Sequence, residues 1–139
     1  MSTQRTFSII KPDAVAAGQA GAILALLEKS GFKILGLKML HLTQKQAEGF
    51  YEVHKERPFY GGLVKFMTEG PVIVMALERE DAVTKLREVM GATNPANAAE
   101  GTVRKLFAKS IERNCIHGSD ALETAAQELG YFFSKTELG

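Results

Sequence analysis

The middle of the chain contains the continuous apolar run PVIVMAL at residues 71–77, which has the length of a single β-strand. Successive side chains of a strand point to opposite faces of its sheet, so a strand that is apolar at every position is buried on both faces. The run therefore predicts a central strand, and the segments on either side of it predict what surrounds that strand.

Three patterned segments lie on the N-terminal side of this run. TFSII at residues 6–10 is rich in β-branched and aromatic side chains and predicts a short strand that ends at Lys11-Pro12-Asp13. Residues 34–42 predict a longer strand, interrupted by Gly36. Between the two strands, apolar residues recur at helical spacing before Gly31, namely Ala20, Ile23, Leu24 and Leu27.

Two further helices are predicted before residue 71. TQKQ at residues 43–46 has the pattern of a capping box and predicts a helix start. One stripe of that helix consists of Ala47, Phe50, Tyr51 and His54. After the Arg57-Pro58 pair, a second short helical stripe consists of Tyr60, Leu63, Val64 and Met67.

The C-terminal side of the run predicts helices, a loop and one more strand. A helix that ends at Gly91 is indicated by the spacing of Ala82, Val83, Leu86 and Met90. Residues 91–101 are turn-rich, residues 102–109 predict a short helix, and residues 114–117 predict a last strand. Asp120 with Glu123 resembles a capping box, opening a helix expected to bury Leu122, Ala125, Ala126 and Leu129.

The order of these elements favours an α+β fold of the ferredoxin-like, split βαβ type, with a four-stranded antiparallel sheet covered by helices. A doubly wound parallel sheet is the alternative, and the four strands with connections of unequal length make it the weaker one. With 139 residues and no linker, repeat or low-complexity tract, the chain is expected to form one domain over residues 1–139.

Composition excludes several classes of protein. The net charge of +1, from 17 basic and 16 acidic residues, lacks the basic excess of nucleic-acid binders, so no obligatory nucleic-acid partner is expected. No apolar stretch reaches the length of a membrane span, and the N-terminus lacks the pattern of a signal peptide. A single cysteine suits a reducing compartment. We expect a cytoplasmic protein, unprocessed except for possible loss of Met1.

The segment NCIHGSD at residues 114–120 is the strongest candidate for chemistry. It places His117 at the end of a strand, followed by a hydroxyl and a carboxylate where a helix begins. Neutral imidazole is a usable nucleophile near pH 7, and helix N-termini favour anions such as phosphate. The alternative is a histidine that only satisfies a turn. His41 and His54 have no comparable context and are interpreted as structural.

Other candidates for a phosphate site are scattered along the chain. The sequence has neither the P-loop pattern nor the glycine loop and HRD motif of protein kinases. Lys11, Arg87 and Arg104 each follow or border a predicted element, and each alone is most simply a surface charge. Tyr51 and Phe59 flank a turn between helices and could stack a base or pack in the core.

These segments together resemble the nucleoside diphosphate kinase family over nearly the whole chain. The resemblance is carried, in the family's order, by TFSIIKPDAV at residues 6–15, RPFY at 57–60, GATNPA at 91–96, GTVR at 101–104 and NCIHGSD at 114–120. Because several separate motifs recur in one order, the resemblance is specific.

The resemblance implies a transfer of the terminal phosphate from a nucleoside triphosphate, mainly ATP, to a nucleoside diphosphate in a ping-pong reaction. It implies that His117 is the phosphorylated nucleophile, that Glu128 orients its imidazole, that Ser119 joins that network and that Tyr51 supports Lys11 and His117. Contacts to phosphates and sugar are implied for Lys11, Arg87, Thr93, Arg104 and Asn114. A slot for the base is implied for Phe59, Leu63 and Ile111.

The resemblance also bears on cofactors and partners. Mg²⁺ is expected to arrive with the nucleotide phosphates, with no permanent metal site and at most an indirect contact from Asp120. A homo-oligomer is expected; because the chain lacks the C-terminal extension that contributes to subunit contacts in hexameric members, tetramer and hexamer both stay open. It departs from the family at Cys115, which could be a small apolar neighbour of the site or an oxidation-sensitive thiol, and at Lys105-Leu106 after Arg104.

Two rivals to catalysis are weaker. A non-catalytic nucleotide-binding or regulatory module would explain the aromatic residues and the cations without a use for His117. An RNA-binding sheet would need an aromatic ladder, which residues 72–75 do not provide.

Overall fold

The computed structural model describes residues 3–139, so the expectation about Met1 lies outside the described residues. Its single sheet has four strands, β1 (Thr3–Ile10), β2 (Lys33–Leu40), β3 (Val72–Glu80) and β4 (Ile116–Gly118). They lie in the order β2-β3-β1-β4, and every neighbouring pair is antiparallel. The predicted α+β fold with a four-stranded antiparallel sheet is confirmed, and the parallel alternative is wrong.

Eight α-helices surround this sheet in the described part of the chain. Their bounds are α1 (Pro12–Ala16), α2 (Ala20–Lys29), α3 (Gln44–Phe50), α4 (Tyr60–Met67), α5 (Ala82–Met90), α6 (Val103–Phe107), α7 (Leu122–Phe132) and α8 (Lys135–Leu138). Two short 3₁₀ turns lie at Glu52–His54 and Pro95–Asn97. The sequence patterns did not predict α1 and α8, because helices of four or five residues are too short to show a periodic apolar face.

Strand β3 lies between β2 and β1, and the side chains on its two faces pack into two separate cores. Ile73, Met75 and Leu77 pack into one cluster with residues of α2 and α5. Val72, Val74 and Ala76 pack into the other with residues of α3, α4 and α7. The continuous apolar run thus follows from helices covering both faces of the sheet. No helix among the described residues is long and apolar enough to cross a bilayer.

The predicted interruption of β2 at Gly36 is a register shift in its pairing with β3, between Ile34 and Gly36. A Cβ atom at Gly36 would lie 2.8 Å from Cε1 of Phe133, which follows α7. The glycine therefore allows the chain after α7 to lie directly against the edge strand.

The start of α7 differs from the expectation. The helix begins at Leu122, and Asp120 Oδ1 accepts a hydrogen bond from Thr124 Oγ1 at 2.8 Å instead of capping the helix with Glu123. Ala125 and Leu129 are buried as expected, whereas Leu122 and Ala126 face solvent, so that part of the prediction is wrong. The inward face continues instead through Phe132, and Glu128 turns toward β4.

Candidate functional site

The candidate site is built around β4, the three-residue strand that carries His117. His117 lies opposite Ile9 of β1, and the hydroxyl of Ser8 donates to the backbone oxygen of His117 at 2.6 Å. On the next residue, a Cβ atom at Gly118 would lie 2.5 Å from Sδ of Met90 and 2.9 Å from Cδ2 of Leu86. The absence of a side chain lets α5 press against β4, which fixes the backbone of the histidine from both sides.

The imidazole of His117 is oriented by a carboxylate. Its Nε2 lies 2.9 Å from Oε1 of Glu128 on α7, and the hydroxyl of Ser119 donates to the same oxygen at 2.6 Å. Because a carboxylate oxygen accepts, this contact places the imidazole proton on Nε2. The lone pair of Nδ1 is then the free nucleophilic position of the ring. The family resemblance implied these three residues as a network, and the structure brings them together.

Three aromatic rings pack around the imidazole. The ring centroid of His117 lies 5.4 Å from that of Phe50, 6.1 Å from Phe7 and 6.4 Å from Tyr51, in each case edge to face. Sequence patterns did not identify Phe7 and Phe50 as site residues, because each is equally well explained as a core residue. Ser8 was also missed, because a hydroxyl within the strand at 6–10 carries no local sign of the residue that lies beside it in the sheet.

Tyr51 is buried, and its hydroxyl has no hydrogen-bond partner among residues 3–139. Burial, with a smaller contribution from Glu128, raises the pKa of Tyr51, so the hydroxyl stays a neutral donor. The resemblance implied that Tyr51 supports both Lys11 and His117. The structure places its ring against His117 and leaves its hydroxyl available.

Lys11 joins the site from the end of β1. Its ammonium donates to Oδ1 of Asn114 at 2.8 Å, and its backbone N–H donates to the oxygen of Cys115 at 2.9 Å. Burial lowers the pKa of Lys11 to about 8, and the nearby Arg104 acts in the same direction. The Lys11 ammonium is thus buried and hydrogen-bonded to a neutral amide, with no salt bridge among the described residues. A buried cation without a counter-ion favours an incoming anion.

Arg104 reaches the other side of β4 from α6. Its guanidinium donates to the backbone oxygen of Ile116 at 2.8 Å and to that of Gly91 at 3.1 Å, while its Nε is buried with no partner among the described residues. Burial lowers the pKa of Arg104 to about 10, and the charge of Arg87 adds to this effect. Arg87 itself lies 3.5 Å from the oxygen of Gly118, at the outer limit of a hydrogen bond. Two arginines therefore converge on the strand that carries His117.

A cavity of about 480 Å³ lies beside these arginines, between the end of α5 and the loop that follows it. Arg87, Thr93 and Asn97 are among the residues that line it. Gly91 ends α5 with φ of 87°, a left-handed conformation that favours glycine. The volume lies in the range of small-molecule sites.

The residues implied to hold a base lie farther out. Phe59 and Ile111 are each 52% exposed, and Leu63 packs at the margin of the second core. Phe59 packs on His54 with 5.5 Å between ring centroids, and His54 stacks on Tyr51 at 6.5 Å. His54, interpreted as structural from the sequence, thus connects Phe59 with the rings around His117.

A second cavity, of about 310 Å³, lies between α4 and the segment that follows α6. We call it the α4 cleft; its lining consists of Gly62, Lys65, Phe66, Glu69, Glu112 and Arg113. It adjoins the turn that carries Ile111 and the helix that carries Leu63.

Cys115 has a left-handed backbone, with φ of 64°, between Asn114 and β4. Burial raises the pKa of its thiol to about 12. The thiol is therefore protonated near neutral pH, which disfavours the oxidation-sensitive alternative because the thiolate is the reactive form.

Acidic side chains near the candidate site include Glu128, and Glu88 at the larger cavity. Asp120 is exposed beside β4, and no group of three or more His, Cys, Asp or Glu side chains in the described part of the chain could hold a metal ion. His41 lies elsewhere, with its Nε2 2.8 Å from the oxygen of Thr68.

Comparison with known proteins gives a consistent result. The sequence pattern of the family described as nucleoside diphosphate kinase matches residues 4–138. Nucleoside diphosphate kinases of Hyphomonas neptunium and Azorhizobium caulinodans are each 60% identical to the chain over 138 residues, covering 99% of both partners.

Two solved structures share the fold. The Aquifex aeolicus nucleoside diphosphate kinase superposes with a TM-score of 0.97 at 41% identity, covering 99% of this chain and 100% of that one. A halophilic nucleoside diphosphate kinase from Halobacterium salinarum, in complex with CDP, gives 0.94 at 38% identity, covering 99% and 92%.

Proposed function

Because the chain belongs to the nucleoside diphosphate kinase family, we propose that it moves the terminal phosphate of a nucleoside triphosphate, mainly ATP, to a nucleoside diphosphate through a phosphohistidine on His117. It is an enzyme of that family, a phosphotransferase. The observation that carries the covalent mechanism is the contact of His117 Nε2 with Glu128, which leaves the lone pair of Nδ1 available.

In the first half-reaction, the lone pair of Nδ1 attacks the γ-phosphorus of the donor. The bond from that phosphorus to the β–γ bridging oxygen breaks, and the nucleoside diphosphate leaves with the electron pair. The imidazole becomes positively charged as the phosphorus–nitrogen bond forms, and the Glu128 carboxylate stabilises that charge through the Nε2 proton. In the second half-reaction a terminal oxygen of the acceptor attacks the phosphoryl group, and Nδ1 regains its lone pair.

Positive charge for the transferring phosphoryl group comes from Lys11, Arg87 and Arg104. Phosphoryl transfer depends mainly on positioning and on charge stabilisation of the equatorial oxygens. The Tyr51 hydroxyl and Arg104 Nε are buried donors without partners among residues 3–139, which supports a role in meeting an anion.

The nucleotide would lie across both parts of the site. We propose that Thr93 and Arg87 contact phosphates in the larger cavity, that Asn114 with Lys11 contacts the sugar hydroxyls, and that the base stacks among Phe59, Leu63 and Ile111. The CDP bound to the Halobacterium salinarum relative supports the use of this fold for nucleotides.

Mg²⁺ is proposed as the cofactor, bound through the nucleotide phosphates. The residues around β4 fit this arrangement because the three cations cannot ligate a metal, while Asp120 offers an exposed carboxylate that could meet a metal-bound water. When bound, the ion neutralises phosphate charge.

We also propose that the chain functions as one domain in the cytoplasm, as a homo-oligomer, tetrameric or hexameric. Edge strand β2 supports assembly because it exposes Leu37 and Met39, at 48% and 61%. The RNA-binding alternative loses support because helices cover both faces of the sheet.

The decisive experiment incubates the protein with Mg²⁺ and γ-labelled ATP in the absence of an acceptor. We expect acid-labile, base-stable label on His117 that added GDP removes as labelled GTP. His41 provides an internal control, since it should carry no label. Intact nucleotide binding without label would favour the regulatory module instead.

A further inference from the structure

An ion pair outside the proposed catalytic cluster closes one end of the α4 cleft. The guanidinium of Arg113 meets Glu69 through two bonds, Nη1 to Oε2 at 3.0 Å and Nη2 to Oε1 at 3.1 Å. The same guanidinium lies 4.9 Å above the ring of Phe66 on α4. Two parallel bonds combined with stacking fix the relative position of both partners more tightly than a single contact would.

On one side of the cleft, Arg113 organises the turn that carries Ile111. Its backbone oxygen accepts from the N–H groups of Lys109 at 3.0 Å and Ser110 at 3.4 Å. Its own N–H donates to the hydroxyl of Ser110 at 3.0 Å. Ile111 therefore lies at the tip of a turn whose closing residue is Arg113, in a segment without helix or strand.

On the other side, Glu69 follows the end of α4. This helix carries Leu63 and Phe66, and it begins directly after Phe59. Phe59 and Leu63 are therefore held by the same rigid element as Phe66. The Arg113–Glu69 pair joins that element to the Ile111 turn. The two walls of the proposed base slot are α4 and the Ile111 turn. Among the described residues, the Arg113–Glu69 ion pair connects these two walls beside the α4 cleft.

We propose that Arg113 and Glu69 are positioning residues that set the width of the slot in which the nucleobase stacks. This inference rests on the proposed function, because the slot between Phe59, Leu63 and Ile111 is part of it. The pair lies away from the His117–Glu128 contact and acts on the base through Ile111 and α4. Breaking the pair should therefore weaken binding of the base and leave phosphoryl transfer intact.

The test compares Glu69→Gln and Arg113→Gln with Glu78→Gln, which breaks the exposed Arg5–Glu78 pair at 3.3 Å near the opposite end of β3 from α4. For each protein, kcat and KM are measured with GDP and with ribose 5-diphosphate, which lacks a base. We expect KM for GDP to rise roughly 2- to 5-fold in both cleft variants, the range of a partly exposed ion pair, with kcat unchanged. The base-free acceptor and Glu78→Gln should show no change.

A charge-reversed pair, Glu69→Arg with Arg113→Glu, should bring the KM for GDP back toward its original value. Equal losses with GDP and the base-free acceptor, a fall in kcat alone, or an unchanged KM for GDP would each overturn the inference. Nucleotide binding measured by calorimetry gives the same comparison without turnover. A failure of the wild-type protein to form phosphohistidine would count against the proposed function. An unchanged GDP affinity of the cleft variants in calorimetry would count against the role of the Arg113–Glu69 pair.

Discussion

The two ends of the candidate site are built differently. Of the residues proposed to meet phosphate, Lys11 and Arg104 are only 8% and 6% exposed, and each is hydrogen-bonded to the backbone or side chains around β4. At the base end Phe59 and Ile111 are each 52% exposed and hydrogen bonds play little part. The difference follows from the chemistry, because charge stabilisation needs donors fixed in advance, whereas an aromatic face accepts any flat base.

The largest test of this contrast is His117→Ala. Removing the nucleophile should abolish transfer and labelling, while nucleotide binding persists because its contacts lie on other residues. Labelling by γ-³²P ATP and calorimetry measure the two properties separately. His41→Gln should behave as the wild type, and an active His117→Ala protein would exclude the covalent route.

Arg104→Met should lower kcat by on the order of 10²–10³-fold, as for other single charge-stabilising donors. Part of the loss would come from the oxygens of Ile116 and Gly91, which would lose their donor. Single-turnover labelling of His117 measures the chemical step directly. If only KM changed, Arg104 would serve ground-state binding rather than the transition state.

The pH dependence of Lys11 should be visible in kcat/KM, which reports the free enzyme. With a pKa of about 8, the ammonium loses its proton as the pH rises, so kcat/KM should fall about tenfold per pH unit above that value. Lys11→Arg keeps its charge and should lack this decline, although its overall activity would be lower. A decline that is identical in both proteins would assign it to another group.

Stability should respond to Lys11 in the opposite direction. The pKa of the folded state, about 8, is lower than the ordinary value of 10.5, so between these values the unfolded chain holds the proton and the folded chain does not. The free energy of unfolding contributed by this group therefore rises with pH across that window. Urea unfolding at pH 7 and pH 10 should show the rise in the wild type relative to Lys11→Met. A matching pH trend in the two proteins would contradict it.

The smallest effect is expected at the base end. Because stacking does not read the edge of a base, kcat/KM for ADP, GDP, CDP and UDP should agree within about 10-fold. A much larger preference for one base, measured at equal Mg²⁺, would mean that the base end contains a fixed polar contact after all.

The sequence predicted the parts of the molecule that depend on local patterns. The run at 71–77 gave the central strand, and Gly91 gave the end of α5, because burial on both faces and a left-handed cap each leave a local signature. The same reasoning failed at α7, where Asp120 bonds Thr124 and so moves the helix start and its buried face.

The convergence of the cations lay beyond local patterns. Lys11 and Asn114 are 103 residues apart in sequence yet share a hydrogen bond, which only the pairing of β1 beside β4 brings about. The family resemblance identified these residues by matching positions in its motifs and did not predict that their side chains meet. The roles of Ser8 and Phe50 escaped both approaches, because a strand hydroxyl and a core aromatic residue look the same whether or not a histidine lies beside them.

The close approach at Gly118 has a consequence for which substitutions the protein can accept over time. A methyl group there would meet both Met90 and Leu86, which are fully packed inside α5. A side chain at position 118 would have to displace Leu86 and Met90 or be accompanied by a smaller residue at one of them, which ties this position to its neighbours on α5. The backbone beside the proposed nucleophile should therefore resist substitution, since replacing Gly118 alone would disturb the packing of α5 against β4.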